Sequence, residues 1–172
     1  MNETFKFGAP ADLDRESFLA KFGGIYEHSA WIAANAYDQG ITQKDSLIDN
    51  LHQRFADIFL SASRAEQLAV INAHPDLAGR AARAGELTQA STNEQLSAGI
   101  DNLTAAEFEA FTTLNNRYKA QFGFPFIMAV KGSNKHEILA GFNERVTNTP
   151  EQEFERALSE INKIAAFRLA AL

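Results

Sequence analysis

The stretch TAAEFEAFTTLNNRYKAQF, residues 104–122, decides the fold class of this chain. It opens with Thr104 and carries Glu107 three residues later, which is the capping-box pattern of a helix start. Apolar side chains then recur every three or four residues, as on one face of an amphipathic helix. They are Phe108, Phe111, Leu114, Tyr118 and Phe122. The stretch therefore predicts a long helix that faces a core.

The same start signal appears at several other points, each before a segment with helical spacing of apolar residues. The pairs are Thr42 with Asp45, Ser63 with Glu66, Asn134 with Glu137, and Thr149 with Gln152. After Thr42 the predicted core face consists of Leu47, Leu51, Phe55 and Ile58.

Two further helices are predicted over about Asp14–Phe22 and Glu27–Tyr37, separated by Gly23 and Gly24, where a helix is weakened. Strand alternation is nearly absent. The sequence therefore predicts an all-α protein. Its predicted architecture is a single compact helical-bundle domain over residues 1–172, with about seven to nine helices.

Two segments do not follow the helical pattern. One runs from Pro75 to about Ala90 and is rich in alanine, glycine and arginine; the other is GFPFIMAV, residues 123–130. In the second, Pro125 closes the preceding helix and biases Phe124 toward extended geometry. We therefore expect residues 126–130 to form a buried, strand-like run whose backbone N–H groups need partners.

Composition excludes several classes of function. Sixteen basic and 22 acidic side chains give a formal net charge of −6, which disfavours binding to nucleic acid. The chain has no cysteine, so thiolate catalysis, disulfides and cysteine-bound zinc are excluded. No apolar run approaches the ~20 residues of a membrane span, and the N-terminal stretch lacks a secretory signal, so we expect a cytoplasmic protein without a membrane partner.

Motifs for metals and nucleotides are also absent from the sequence. His28, His52, His74 and His136 form no HxH or HExxH spacing, so no metal site is predicted. The glycines of residues 123–132 match neither nucleotide-binding pattern, GxGxxG or GxxxxGK[ST].

His74 precedes Pro75 and is therefore expected to end the helix that starts near Ser63. The unpaired carbonyls of a helix C-terminus favour a protonated imidazole, which suits a proton donor near neutral pH. Position alone favours the alternative, a histidine that only caps the helix end.

Ser91, with Glu94 three residues later, repeats the capping-box pattern and predicts the start of a short helix. As a functional pattern, the free N–H groups of a helix start, a hydroxyl, a carboxylate and the amide of Gln95 suit a polar heterocycle. The two interpretations are compatible.

Arg168 lies on an apolar stripe of the last helix, where it is the single charged member. The other members are Phe154, Leu158, Ile161, Ala165 and Leu172. A buried guanidinium keeps its charge and needs an anionic partner, either a carboxylate of the chain or a bound acid. The alternative is that the stem is buried and the head reaches water near the chain end.

Three motifs, in this order and spacing, resemble the 2-oxo-4-hydroxy-4-carboxy-5-ureidoimidazoline (OHCU) decarboxylases. They are HPDLAG at 74–79, STNEQ at 91–95 followed by Ala98 and Gly99, and FGFPFI at 122–127 with Ala129 and Val130. Further similarity lies in Glu137–Leu139, Arg145, Asn148, and the ending with Glu160–Ile161, Lys163–Ala165 and Arg168–Leu169; Ile100 is a small departure.

The resemblance implies a homodimeric, cofactor-independent enzyme that converts OHCU to (S)-allantoin with loss of carbon dioxide. It implies that His74 is the catalytic proton donor and Glu94 its acidic companion. Arg168 is implied as an anchor for an anionic group of the substrate. The other implied substrate contacts are Pro75, Ser91, Thr92, Asn93, Gln95, Phe126, Ile127, Met128, Ala129 and Val130.

Two other classes of function are weighed against this one. One is a catalytically silent helical interaction module, which the joint presence of His74, Glu94 and Arg168 disfavours. The other is a metal-dependent amidohydrolase that acts on the ureido group, which needs convergent metal ligands that the linear pattern lacks.

Overall fold

A computed structural model describes residues 3–79 and 85–172, and it confirms the predicted all-α class. Within these residues there are eight α-helices, inside the predicted range. They are α1 (Arg15–Phe22), α2 (Trp31–Asp38), α3 (Ile48–Ser61), α4 (Arg64–Ala73), α5 (Gln89–Ser97), α6 (Ala105–Phe122), α7 (Lys135–Arg145) and α8 (Pro150–Ala170). Short 3₁₀ helices cover Pro10–Asp12 and Gln43–Ser46. The pairing of Thr4 with Leu47 is an isolated antiparallel bridge.

The chain divides into two compact units. The first comprises the residues up to Ala73 together with Asn162–Leu172, and the second is His74–Ile161. That residues 1–172 form a single domain stays a prediction. Of the predicted irregular segment from Pro75 to about Ala90, residues 80–84 lie outside the described residues, and the segment's end already belongs to α5.

Aromatic side chains of α1 and α3 build the core of the first unit. The rings of Phe18 and Phe22 meet Phe55 edge-on at centroid distances of 6.4 and 6.2 Å, a favoured aromatic geometry. Phe59 is fully buried, whereas Ile58 is only partly buried. The sequence prediction of Leu47 and Ile58 as core residues was therefore wrong by one position each, since Ile48 and Phe59 are the buried residues. Leu51 and Phe55 are buried as predicted, and α3 starts at Ile48, not just after Thr42.

Tyr118 on α6 is the centre of the aromatic core of the second unit. Its ring contacts four phenylalanines within 6.5 Å: Phe122, Phe124, Phe126 and Phe142. The buried face of α6 includes Asn115, whereas the predicted Phe108 and Leu114 are only partly buried. A polar side chain thus takes a core position on this helix.

Capping boxes form at most of the predicted helix starts. Thr104 and Asn134 cap α6 and α7 with reciprocal bonds from the acid three residues on, and Ser63 with Glu66 does the same at α4. Thr149 and Gln152 cap α8. The box of Thr42 and Asp45 also forms, but it starts the 3₁₀ helix Gln43–Ser46 and not an α-helix.

The Asp45 carboxylate is buried and binds the Arg54 guanidinium at 3.0 Å as well as the backbone N–H of Thr42. Burial raises the pKa of Asp45, but the hydrogen bonds from Arg54 and Thr42 lower it by more than burial raises it. The pKa of Asp45 therefore lies below its usual value.

The predicted helix over Glu27–Tyr37 was wrong at its start, because α2 begins only at Trp31. The residues before it form turns in which the N–H of Ser29 binds the carbonyl of Tyr26. His28 adopts φ 47°, in the left-handed region that breaks a helix. Glu27 therefore lies in a turn.

No helix in residues 3–79 and 85–172 is long and apolar enough to cross a membrane.

Gly123 ends α6 with φ 81°, and this left-handed residue starts the segment toward Val130. We expect Gly123→Ala to lower the free energy of unfolding by roughly 1–2 kcal/mol, because a Cβ disfavours this conformation. Gly24→Ala is the matched control, since neither glycine's added Cβ would meet an atom within 4 Å and Gly24 has no positive φ. Urea unfolding measures both, and equal stabilities for the two variants would contradict the role of Gly123.

Candidate active site

His74 directly follows Ala73, the last residue of α4, as the sequence predicted. Its side chain is only 9% exposed. The next residues leave helical geometry, and Ala78 adopts φ 55°. The histidine thus stands at the first position of an irregular loop, residues 74–79, which we call the histidine loop.

Side chains of α5 and α6 hold the histidine loop. Asn115 donates from Nδ2 to the carbonyl of Leu77 at 2.8 Å, and the Oε1 of Gln95 accepts the N–H of Ala78 at 3.0 Å. Lys119 binds the Asp76 carboxylate at 2.6 Å. Buried backbone groups outside helices need such partners. The loop that carries His74 therefore has a shape defined by α5 and α6.

Asn115 and Lys119 were missed by the sequence analysis. The signal that existed for Asn115 is its position on the α6 face, four residues after Phe111 and three before Tyr118. A polar residue at a core position indicates a buried hydrogen bond. No sequence signal identified Leu77 as its partner.

Ser91 does not cap α5, so the predicted helix start was wrong. The cap is Thr88, whose hydroxyl accepts the N–H of Ser91 at 3.2 Å. Ser91 therefore lies in the first turn, and Glu94 follows it inside the helix. Residues three apart form a capping box at a helix start, but they also share one face inside a helix. The pair Ser91 and Glu94 was therefore interpreted as a start although it lies within the helix.

Ser91 and Gln95 lie one turn apart and are both buried, so they share the inner face of α5. Thr92 and Glu94 are partly buried. Asn93 is exposed and accepts a hydrogen bond from Gln89 at 2.8 Å. The five predicted residues of this motif thus divide between an inner pair, two intermediate positions and one outer position.

Two cavities are lined by residues of the histidine loop, α5 and α6. One of about 300 Å³ is lined partly by Ala78, Thr92 and Gln95. The other, of about 360 Å³, has Pro75, Asn115 and Lys119 among its lining residues. The structure thereby brings Thr92 and Gln95 together at one cavity and places Pro75 at another.

The segment Phe126–Val130 is not a strand, although it was predicted to be strand-like. It has no ladder partner among the described residues, yet Phe126, Ile127 and Val130 are buried, as predicted. The carbonyl of Ile127 accepts from Arg145 Nη1, and the N–H of Ala129 donates to Glu160 at 3.3 Å. Met128 and Ala129 are partly exposed. Side chains of α7 and α8 thus replace the sheet partners that an extended segment lacks here.

Arg145 and Glu153 form a buried ion pair that the sequence analysis did not identify. The Arg145 Nε lies 2.8 Å from Glu153 Oε1, and both side chains are at most 3% exposed. The Tyr118 hydroxyl donates to the same carboxylate at 2.5 Å. Burial, and then the bond to Glu153, raise the pKa of Tyr118 far above its usual range. The group therefore stays a neutral hydrogen-bond donor.

Arg168 is buried, so the interpretation that its head reaches water was wrong. Its Nη2 lies 2.9 Å from the Glu27 carboxylate, and its Nη1 donates to the carbonyls of Gly24 and Ile25 at 3.4 and 3.3 Å. All these residues belong to the first unit. The anionic partner that the sequence required is thus present within the chain, in the turn that precedes α2.

The buried face of α8 is wider than the predicted stripe. Phe154, Leu158, Ile161, Ala165 and Arg168 are buried as predicted, whereas Leu172 lies beyond the end of α8 and is only partly buried. The face also includes Glu153 and Glu160, so it carries three ionisable side chains. Glu160 also forms an ion pair with Arg156, one turn earlier on the same helix, at 3.0 Å. No three histidine, aspartate or glutamate side chains converge as a metal site in the parts of the chain that the structure describes.

Gln95→Leu tests whether this side chain has a structural duty. We expect a loss of about 1–3 kcal/mol in the free energy of unfolding, because the N–H of Ala78 is left buried without its acceptor. Gln95→Glu keeps an acceptor oxygen and should stay closer to the wild type. Asn93→Leu, on the exposed side of the same helix, is the control in urea unfolding. Equal stabilities of the two leucine variants would refute the bond to Ala78 as a stabilising contact.

Comparisons with known proteins agree with these features. The sequence profile described as OHCU decarboxylase matches residues 11–170. Proteins named 2-oxo-4-hydroxy-4-carboxy-5-ureidoimidazoline decarboxylase are 42% identical in Halalkalicoccus jeotgali, over 92% of this chain and 86% of that protein, and 42% identical in Haloferax volcanii, over 92% and 90%. A crystal structure of (S)-allantoin synthase, 34% identical, matches with a TM-score of 0.75 over 94% of this chain and 52% of that longer chain. This chain therefore belongs to the OHCU decarboxylase family.

Proposed function

We propose that this chain is a carboxy-lyase that converts OHCU to (S)-allantoin and carbon dioxide in urate degradation. The observation that carries the proposal is the family match over residues 11–170, which includes the histidine loop and the Phe126–Val130 segment. The two relatives that are 42% identical carry the name of this decarboxylase. The structural neighbour named (S)-allantoin synthase supports the handedness of the product.

The reaction breaks the bond between the ring carbon and its carboxylate. Carbon dioxide leaves, and the electron pair stays on the ring carbon and its conjugated neighbours. The carbon that loses the carboxylate also carries the hydroxyl and becomes a carbonyl of allantoin as the hydroxyl proton leaves. A proton bonds to the neighbouring ring carbon, which carries the ureido group, and delivery on one face gives one enantiomer. The site must stabilise the developing negative charge and supply the proton.

His74 donates this proton in the proposed mechanism, and Glu94 hydrogen-bonds the hydroxyl or a ring N–H of the substrate. Support for His74 comes from its family motif and from the histidine loop, which Asn115 and Gln95 hold in one shape. A fixed donor position is what delivery to one face requires.

Substrate contacts are proposed for the remaining motif residues, with Pro75 as a wall beside His74. Gln95 already uses Oε1 for Ala78, so its amide nitrogen is the group that we assign to substrate. Ser91 and Thr92 offer hydroxyls, and Asn93 is the exposed member of the set. The backbone of Phe126–Val130 supplies N–H and carbonyl groups, and Arg168 anchors an anionic group.

We further propose that the enzyme is a cytoplasmic homodimer and uses no metal or organic cofactor, with residues 1–172 as one functional domain. The family resemblance supports these points, and the family match spans both compact units. Light scattering after size exclusion tests the dimer.

An assay with freshly prepared OHCU tests the function directly. We expect circular dichroism to record enantiomerically enriched allantoin, with the same rate in the presence of a chelator. Racemic product formed at the uncatalysed rate would refute the decarboxylase and favour a silent module. Loss of turnover with chelator would instead indicate a metal-dependent enzyme.

His74→Gln should lower kcat/KM by roughly 10²–10⁴, the usual contribution of a general acid, and should abolish the enrichment of one enantiomer. Glutamine is used because His74 is buried and an alanine would also remove packing. His136→Gln, at an exposed position, is the control. Enantiomeric enrichment that survives in His74→Gln would remove this residue from the proton-donor role.

The proposed substrate contact of Arg168 is tested with a double variant. Arg168→Met alone removes the charge partner of the buried Glu27 and should lower the free energy of unfolding by about 3–5 kcal/mol. Glu27→Gln combined with Arg168→Met removes both charges and should recover much of this loss. If Arg168 anchors the substrate, the double variant folds but has a raised KM for OHCU. A stable double variant with the wild-type KM would leave Arg168 a purely structural role.

A further inference from the structure

The backbone around Met128 is held by two buried charged side chains from different helices. Arg145 on α7 donates to the carbonyl of Ile127, and Glu160 on α8 accepts the N–H of Ala129 at 3.3 Å. Arg145 is 2% exposed and Glu160 is 3% exposed. Since the segment has no ladder partner within the described residues, these two contacts hold its backbone in addition to the packing of its buried side chains.

The guanidinium of Arg145 is itself fixed in orientation. Glu153 accepts from its Nε at 2.8 Å, and the same carboxylate accepts from Tyr118 and, at 2.9 Å, from Asn148. The guanidinium carbon lies 4.3 Å from the ring centroid of Phe126, a cation–π contact. The donor that reaches the Ile127 carbonyl therefore has little freedom to move.

Stability alone is a poor explanation for this arrangement. A buried ion pair loses hydration, and well-packed apolar residues often replace one without loss of stability. A planar guanidinium, however, can bind a carboxylate and a carbonyl at the same time in defined directions. The arrangement is thus suited to fixing the position of a main-chain carbonyl.

We propose that Arg145 and Glu160 are positioning residues of the decarboxylase, which act on the substrate through the backbone of Ile127–Ala129. This inference rests on the proposed function, in which that backbone lines the substrate site. Neither side chain needs to touch the substrate. Their loss lets the backbone groups that bind the substrate shift, and a misplacement near 1 Å can cost about 10²-fold in kcat/KM.

Two variants test the proposal, each with a matched control. Arg145→Lys keeps the charge but has a single donor atom in place of the separate Nε and Nη1 donors that bind Glu153 and the Ile127 carbonyl. Its control is Tyr118→Phe, which removes another hydrogen bond to the same carboxylate and leaves the Ile127 contact in place. Glu160→Leu removes the acceptor for Ala129, and its control Arg156→Gln removes the ion pair with Glu160 and leaves that acceptor.

Steady-state kinetics with OHCU should separate variants from controls. We expect kcat/KM to fall roughly 10- to 100-fold in Arg145→Lys and in Glu160→Leu, mainly through KM, and to stay within about twofold in the controls. Glu160→Gln retains an acceptor oxygen and should rescue most of the Glu160→Leu defect. Equal losses in variants and controls, or wild-type KM values in both variants, would overturn the proposal.

Amide hydrogen exchange without substrate provides a second measurement. It uses Glu160→Leu, so it tests the proposal even if Arg145→Lys does not fold. We expect protection of the Ala129 amide to drop in Glu160→Leu while α6 and α8 keep theirs; unchanged protection would overturn the proposal. Wild-type turnover of OHCU tests the proposed function separately. If the wild type is inactive, the proposed function fails, whereas the exchange result still reports whether these side chains hold the backbone.

Discussion

A buried backbone group outside a helix must find a hydrogen-bond partner, and this constraint governs both segments that are proposed to form the site. In the described residues there is no sheet to supply such partners. Asn115 and Gln95 therefore serve the histidine loop, and Arg145 and Glu160 serve the Phe126–Val130 segment. An orphaned group would cost about 1–3 kcal/mol, so each of these side chains specifies one loop conformation against its alternatives. Helices supply the scaffold, and their polar core positions define the loops.

Features that depend on neighbouring residues were predictable from the sequence. The helix starts at Ser63, Thr104 and Asn134 follow from bonds between residues three apart, so the pattern and the structure carry the same information. Proline before an irregular segment placed His74 at the end of α4 for the same local reason. The pattern at Ser91 failed because residues three apart also share a face inside a helix, and Thr88 had already supplied the cap.

Partners that lie far apart in sequence were not predictable, although the need for them sometimes was. Physical reasoning required an anion for the buried Arg168, but Glu27 was placed in a helix, where nothing distinguished its carboxylate from other surface acids. The turn around His28 decides the pairing. In the same way, the positions of Glu153 and Glu160 on α8 place two carboxylates on a buried face, yet their contacts depend on how the Phe126–Val130 segment runs.

The two buried arginines use the same device in different units of the chain. Arg168 binds the Glu27 carboxylate together with carbonyls of Gly24 and Ile25, and Arg145 binds the Glu153 carboxylate together with the carbonyl of Ile127. In each case the carboxylate balances the charge, which makes burial tolerable, and Nη1 donates to the carbonyl of a non-helical segment. A lysine offers one point charge without this fork. Apolar residues could fill the same volume, but they could not define where a carbonyl points. The buried charges are therefore better explained by the backbone that they orient than by the stability that they add.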